Sequence, residues 1–148
     1  MPNFDLSGSA ALVTGATRGL GRHFAAVLAA AGASVTVAGR QLDAAEAVAE
    51  TLDGKAIGVA LEVTEPTSIR AAFEVAEARL GPIGIVVNNA GMLIAKPALQ
   101  HGPEEWRQVV GTDLDGAFYV LREGARRMAA RGLGGVIVNI GSMSGERG

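Results

Sequence analysis

The sequence predicts an α/β fold on a doubly wound parallel sheet, and three observations carry that prediction. Five short apolar runs recur, at 10–13, 34–38, 56–61, 83–87 and 135–140. They are continuous rather than alternating, as in parallel strands covered on both faces. Between them the apolar spacing turns helical, giving β-α four times and then a fifth strand. The first strand runs into a glycine-rich turn that opens the first helix. In such sheets ligands bind at the carboxyl ends of the strands.

The first run leads into Thr14-Gly15-Ala16-Thr17-Arg18-Gly19-Leu20-Gly21. Glycines there permit a sharp turn and the close approach of a pyrophosphate. The helix that follows offers unpaired N–H groups and the positive end of its dipole. This order implies a dinucleotide, although the same glycines also suit a purely structural turn. The spacing Gly-x-x-x-Gly-x-Gly is neither Gly-x-Gly-x-x-Gly nor a P-loop, which would need Gly-Lys-Ser/Thr. Helix one presents Leu20, Phe24, Val27, Leu28 and Ala31 on one face and stops at Gly32. Helix two uses Leu42, Ala45, Ala49 and Leu52, closed by Gly54. Helix three uses Ile69, Phe73, Ala76 and Leu80, with Thr64 as N-cap and Gly81 as stop. Helix four is expected as one piece over 103–131, with Pro103 in its first turn.

Composition sets limits. A chain of 148 residues fits one domain with a real core. At 49% hydrophobic and 19% charged it reads as an ordinary globular α/β chain. A net charge of −2 implies no broad basic face for nucleic acid. The absence of cysteine excludes disulfides, thiolate metal sites and cysteine nucleophiles, and fits a reducing cytoplasm. The start, Met1-Pro2-Asn3-Phe4-Asp5, does not read as a signal peptide. The uncharged parts of 24–39 are broken by Gly32 and Ser34 and read as a helix end plus a strand, not a membrane span.

Each strand exit carries polar or glycine residues. Strand two ends at Ala38-Gly39-Arg40, about 20 residues past the turn, where an acid would grip the ribose of NAD. Arg40 stands there instead, and Arg18 lies in the glycine turn, a pairing that favours the 2′-phosphate of NADP over NAD; solvated surface arginines are the plainer alternative. Strand three exits at Leu61-Glu62-Val63, strand four at Asn88-Asn89-Ala90-Gly91, and strand five at Asn139-Ile140-Gly141-Ser142. Asn and Gly serve a nucleotide or an ordinary turn equally well. On helix four the inward stripe Trp106, Val110, Ala117, Leu121, Met128 also takes in Asp113. A carboxylate there is costly unless paired or wet, which marks Asp113 as a site candidate; a hydrated gap beside the helix is the alternative. Trp106 reads as core, and His23 and His101 as solvated.

Three motifs in register, Thr14-Gly15-x-x-x-Gly19-x-Gly21, Asn88-Asn89-Ala90-Gly91 and Ile137-Val138-Asn139-Ile140-Gly141-Ser142, resemble the short-chain dehydrogenase/reductase family. The likeness spans the whole chain and is nearest to bacterial 3-oxoacyl-carrier-protein reductases and sugar-acid dehydrogenases. It implies a Rossmann-type sheet and hydride transfer between NAD or NADP and a small carbonyl or alcohol substrate. It also implies a cytoplasmic protein that forms homodimers or homotetramers. Gly15, Thr17, Arg18, Gly19, Leu20 and Gly21 would then hold the pyrophosphate end. Arg40 would lie by the adenosine phosphate, Glu62 and Val63 by the adenine, and Asn88, Ala90 and Gly91 along the cofactor's middle. Ser142 matches the catalytic serine that hydrogen-bonds the substrate oxygen. No metal site is implied.

Three departures stand out. Glu62 replaces the usual Asp beside the adenine, a small change. The family's Asn-Leu-x-Gly reads Asp113-Leu114-Asp115-Gly116 here. The resemblance gives position 113 a place in a water-mediated proton relay, in which an ionised Asp accepts but cannot donate, and pairs with a nearby lysine. Finally, the family's Tyr-x-x-x-Lys would fall beyond Gly148; the only tyrosine, Tyr119, has Glu123 four residues on. The expectation is an incomplete Rossmann domain, the N-terminal portion of an NADP-dependent oxidoreductase. Alone it would be poorly soluble or partly molten, with little turnover. The competing expectation is a non-catalytic dinucleotide-binding or interaction module ending at Gly148. Against it, 145–148 reads as the middle of an active-site loop.

Overall fold

The computed structural model describes residues 4–143; the loop expected at 145–148 lies outside the described residues. Strands β1 (Ala10–Thr14), β2 (Ser34–Gly39), β3 (Ala56–Ala60), β4 (Ile83–Asn88) and β5 (Val136–Asn139) form one parallel sheet, ordered β3-β2-β1-β4-β5. The winding direction reverses at β1, which pairs with β2 on one edge and β4 on the other. This is the doubly wound Rossmann-type order, with its switch point between β1 and β4.

Helices α1 (Gly19–Ala30) and α2 (Leu42–Ala49) cover one face, packing around Val13, Val35, Val37 and Val87. Helices α3 (Pro66–Leu80) and α5 (Ala117–Arg131) cover the other, around Leu12, Ile69, Phe73, Val86 and Val120. Every residue of β1 is buried, as the continuous apolar run implies. Edge strand β5 departs from that expectation. Its register puts Val136 opposite Ile85 and Val138 opposite Val87, on the α1/α2 face. No described helix reaches that strip, so Val136 is 56% and Val138 42% exposed.

Two helix details also differ from the sequence expectation. The buried residues of α1 are Gly21, Ala25 and Ala29, while Leu20 and Val27 are exposed. Small side chains bring that helix close to the sheet, so apolar size is a poor guide to its inner face. Helix α3 is not capped by Thr64. Glu65 takes the N-cap position without a side-chain bond, and Pro66 opens the helix with a ring whose missing N–H costs nothing there. The Thr64 amide and hydroxyl instead donate to Glu62 Oε1, at 3.2 and 3.1 Å.

The expected single fourth helix is broken into α4 (Pro103–Val110), a π-helical segment (Gly111–Gly116) and α5. Gly116 lies tight on β3's exit: a Cβ there would stand 2.8 Å from Val63 Cγ2. The extra residue of a π turn shifts the phase of all that follows. Two sequence expectations are overturned here. Trp106 lies before the π segment, on α4, which buries no residue, and is 67% exposed rather than core. Asp113 is exposed rather than inward.

Ion pairs fasten α5 to α3. Glu77 accepts from Arg127 Nη1 at 2.6 Å and Arg131 Nη1 at 2.7 Å, and Arg131 Nη2 donates to the Ile83 carbonyl at 2.6 Å. The Arg127 guanidinium stands 5.5 Å from the centre of the Phe73 ring. Glu123 accepts from Arg126 and Arg127. The Arg126 hydrogen bond, with help from Arg127, outweighs burial and holds its carboxyl down at about 2.

Candidate functional site

The strand ends place most of the expected residues along one edge of the sheet, and hydrogen bonds tie that edge together at the switch point. Thr14, fully buried at the end of β1, accepts the backbone N–H groups of Asn89 and Ala90, both at 3.0 Å. The Asn89 side chain returns the link, donating Nδ2 to the Thr14 carbonyl at 3.0 Å and to the Gly15 carbonyl at 3.4 Å. Thr14 and Asn89 thus join the glycine turn to the β4 exit. Neither was among the expected cofactor residues. The available signal was a Thr ending one strand and a second Asn leaving another.

This seam makes two glycines obligatory. Gly15 has φ +63°, and a Cβ on it would lie 2.9 Å from Ala90 Cα. A Cβ on Gly21 would strike the Gly15 carbonyl oxygen and stand 2.5 Å from Asn89 Nδ2. The first turn of α1 therefore nests against the loop it follows. Arg18 is the N-cap, extended at φ −158°, with no side-chain cap, so no side chain shields the helix N–H groups. Gly19 and Leu20 are exposed beside it. The arrangement is an open cradle of backbone donors that would accept a phosphate.

The Thr17 methyl lies over Gly39, and the Ala16 N–H donates to the Ala38 carbonyl at 3.0 Å. Arg18 and Arg40 each follow one partner of the Thr17–Gly39 contact. Both are exposed, and among the described residues neither side chain has a hydrogen-bond or ion-pair partner. Two unpaired guanidinium groups fit a phosphate monoester.

The remaining residues divide into wall and surface. Glu62 is half-buried, its carboxylate taken up by Thr64, while its N–H meets Ser68 Oγ at 2.9 Å. Val63 is buried under Gly116. Asn88 is only 4% exposed; its Nδ2 donates to the Ala117 carbonyl at 2.8 Å and to Asn139 Oδ1 at 3.1 Å. It stands behind the site wall, joining β4 to β5 and α5. Gly91 is exposed just past the seam. Asp113 Oδ1 accepts the Met92 N–H at 2.8 Å. Lys96 pairs with Glu105. Ser142 is exposed beyond β5. Tyr119 is half-buried and packs against the α3/α5 core. Among the described residues no group of His, Asp and Glu is placed to hold a metal ion, and no helix is long and apolar enough to cross a membrane.

These features define a doubly wound α/β chain with an open glycine turn at its switch point, and comparison with known proteins gives its family. The short chain dehydrogenase family model matches residues 9–148. The NADP-dependent (R)-specific alcohol dehydrogenase of Lentilactobacillus kefiri is 35% identical, over 95% of this chain and 56% of its own. The 3-oxoacyl-(acyl-carrier-protein) reductase FabG of Escherichia coli (strain K12) is 37% identical, over 99% of this chain and 59% of its own. A solved 7α-hydroxysteroid dehydrogenase, complexed with NADH and 7-oxo glycochenodeoxycholic acid, superposes with a TM-score of 0.91 at 33% identity, covering 99% of this chain and 58% of its own. The chain belongs to the short-chain dehydrogenase family of oxidoreductases. It spans a little over half the length of these relatives.

Proposed function

We propose that this chain is the nucleotide-binding part of an NADP-dependent oxidoreductase acting on a small carbonyl or alcohol compound. The observation that carries the reading is the open cradle at the switch point, with Arg18 and Arg40 unpaired beside it and no acid at the β2 exit. The bound nicotinamide supplies the hydride chemistry. Gly15, Thr17, Gly19, Leu20 and Gly21 shape the pyrophosphate cradle, and Arg18 and Arg40 select the 2′-phosphate. Glu62 and Val63 flank the adenine. Asn88 fixes the wall behind Ala90 and Gly91, which face the middle of the dinucleotide. Ser142 donates to the substrate oxygen. The protein works in the cytoplasm on a small molecule, apart from nucleic acid and membrane, as a homodimer or homotetramer.

A second reading is a dinucleotide-binding module without turnover, in which Tyr119, packed against the α3/α5 core with Glu123 four residues on, takes no part in proton transfer. On either reading the 148-residue chain binds NADPH and turns over little.

Titration with NADPH and NADH tests the cofactor choice. Loss of one charge-assisted contact costs about tenfold in affinity. Arg40→Ala is expected to weaken NADPH by about that factor while leaving NADH nearly unchanged. Equal losses for both, or none, would remove the 2′-phosphate assignment. NADPH oxidation with simple ketones as substrates separates the two readings. Turnover by the natural full-length protein supports the enzyme; binding without turnover there supports the module.

A further inference from the structure

Beyond the ends of β4 and β5 the chain carries apolar side chains and almost no positive charge. Asn88 stands opposite Asn139 at the strand ends, and the Ile140 N–H donates to the Asn88 carbonyl at 3.0 Å. The two exits therefore leave the sheet side by side. Ser142 and Met143 follow on one, and Met92, Leu93 and Ile94 on the other. Leu93 is 83% and Met143 80% exposed, so each exit holds a large apolar side chain out in water.

The charges on these loops are one-sided. In residues 89–102, 111–116 and 140–143, Lys96 is the only lysine or arginine. Glu105 of α4 takes it in an ion pair, and the same carboxylate accepts the Gly102 N–H at 2.9 Å. The π segment brings two further carboxylates, Asp113 and Asp115. Both are exposed, and among the described residues neither has an ion-pair partner. Arg18 and Arg40 lie beyond β1 and β2, across the switch point. A carboxylate or phosphate on a substrate held beside Ser142 would meet acid and no free cation.

We propose that the substrate is a neutral carbonyl or alcohol compound with an apolar substituent, that Leu93 and Met143 contact this substituent, and that the Lys96–Glu105 pair turns anionic compounds away by withholding the one cation these loops contain. The inference rests on the oxidoreductase reading and names the substrate class of that same site. Apolar groups on the substrate gain by covering Leu93 and Met143. Anionic groups lose their water without gaining a partner.

The test uses the natural full-length protein with NADPH and two matched substrates: methyl hexyl ketone, and the keto acid of the same chain length that ends in a carboxylate. The ketone should have a kcat/KM about tenfold higher or more. Leu93→Asn changes an exposed position, where the fold is insensitive. It should lower kcat/KM for the ketone about five- to tenfold while the Kd for NADPH stays the same. Glu105→Gln keeps an oxygen for the Gly102 N–H but releases Lys96. It should raise kcat/KM for the keto acid, relative to the ketone, about threefold. A keto acid reduced as well as the ketone, ketone kinetics unchanged in L93N, or an unchanged ratio in E105Q overturns the proposal and leaves the oxidoreductase reading standing. NADPH binding without turnover of either compound overturns that reading and this inference with it.

Discussion

The two edges of β4 behave differently. Toward β1 the strand is locked: Thr14, Asn89 and Ala90 share partly buried hydrogen bonds, and the strands on both sides are covered by helices. Toward β5 it pairs in register, but the partner strand is largely exposed and its α1/α2 side is bare. On the proposed function, the dinucleotide cradle belongs to the sealed edge, and Ser142 follows the open one.

The largest expected effect lies at the sealed edge. Thr14→Val keeps the shape but leaves two partly buried N–H groups without an acceptor, at about 1–3 kcal/mol. Chemical denaturation should show that loss together with a collapse of NADPH affinity. A change under about 0.5 kcal/mol would mean the seam is not what holds the glycine turn.

A paired truncation sharpens the contrast. Val86→Ala, on β4 and fully buried, should cost about 2 kcal/mol, whereas Val138→Ala, on β5, should cost under about 0.5 kcal/mol. Equal costs in denaturant titration would show that the β5 strip is covered in solution.

Acid should act on a third place. Glu123 is held at about 2 in the folded chain against an ordinary 4.5. A folded-state value depressed in this way stabilises the protein fully above the ordinary value, and the contribution fades as pH falls toward about 2. With partial solvent screening it amounts to about 2 kcal/mol. The Thr14–Asn89 seam contains no titratable group, so acid should loosen α5 while the seam keeps its own bonds. Glu123→Gln should flatten the stability profile between pH 4.5 and 2. An unchanged slope would assign the acid sensitivity to other carboxylates.

The contrast between the edges also explains how far the sequence could be read. Strand placement, sheet order and the glycine turn were legible, because continuous apolar runs and helical spacing report burial directly. The seam was not. Thr14 and Asn89 meet only after residues 75 apart are brought together, and neither has a periodic signature. The π turn was equally hidden: it interrupts the regular helical count at Asp113, inside Gly111–Gly116. Helix α1 misled for the opposite reason, since its fully buried face is made of glycine and alanine while Leu20 and Val27 point outward.

The most direct measurement is hydrogen–deuterium exchange by mass spectrometry, with and without NADPH. A pre-assembled cradle at the β1–β4 edge should show new protection in peptides covering 14–21 and 88–92, with peptides from 133–140 nearly unchanged. Protection absent from 14–21, or confined to the β5 edge, would contradict the assignment of the nucleotide site.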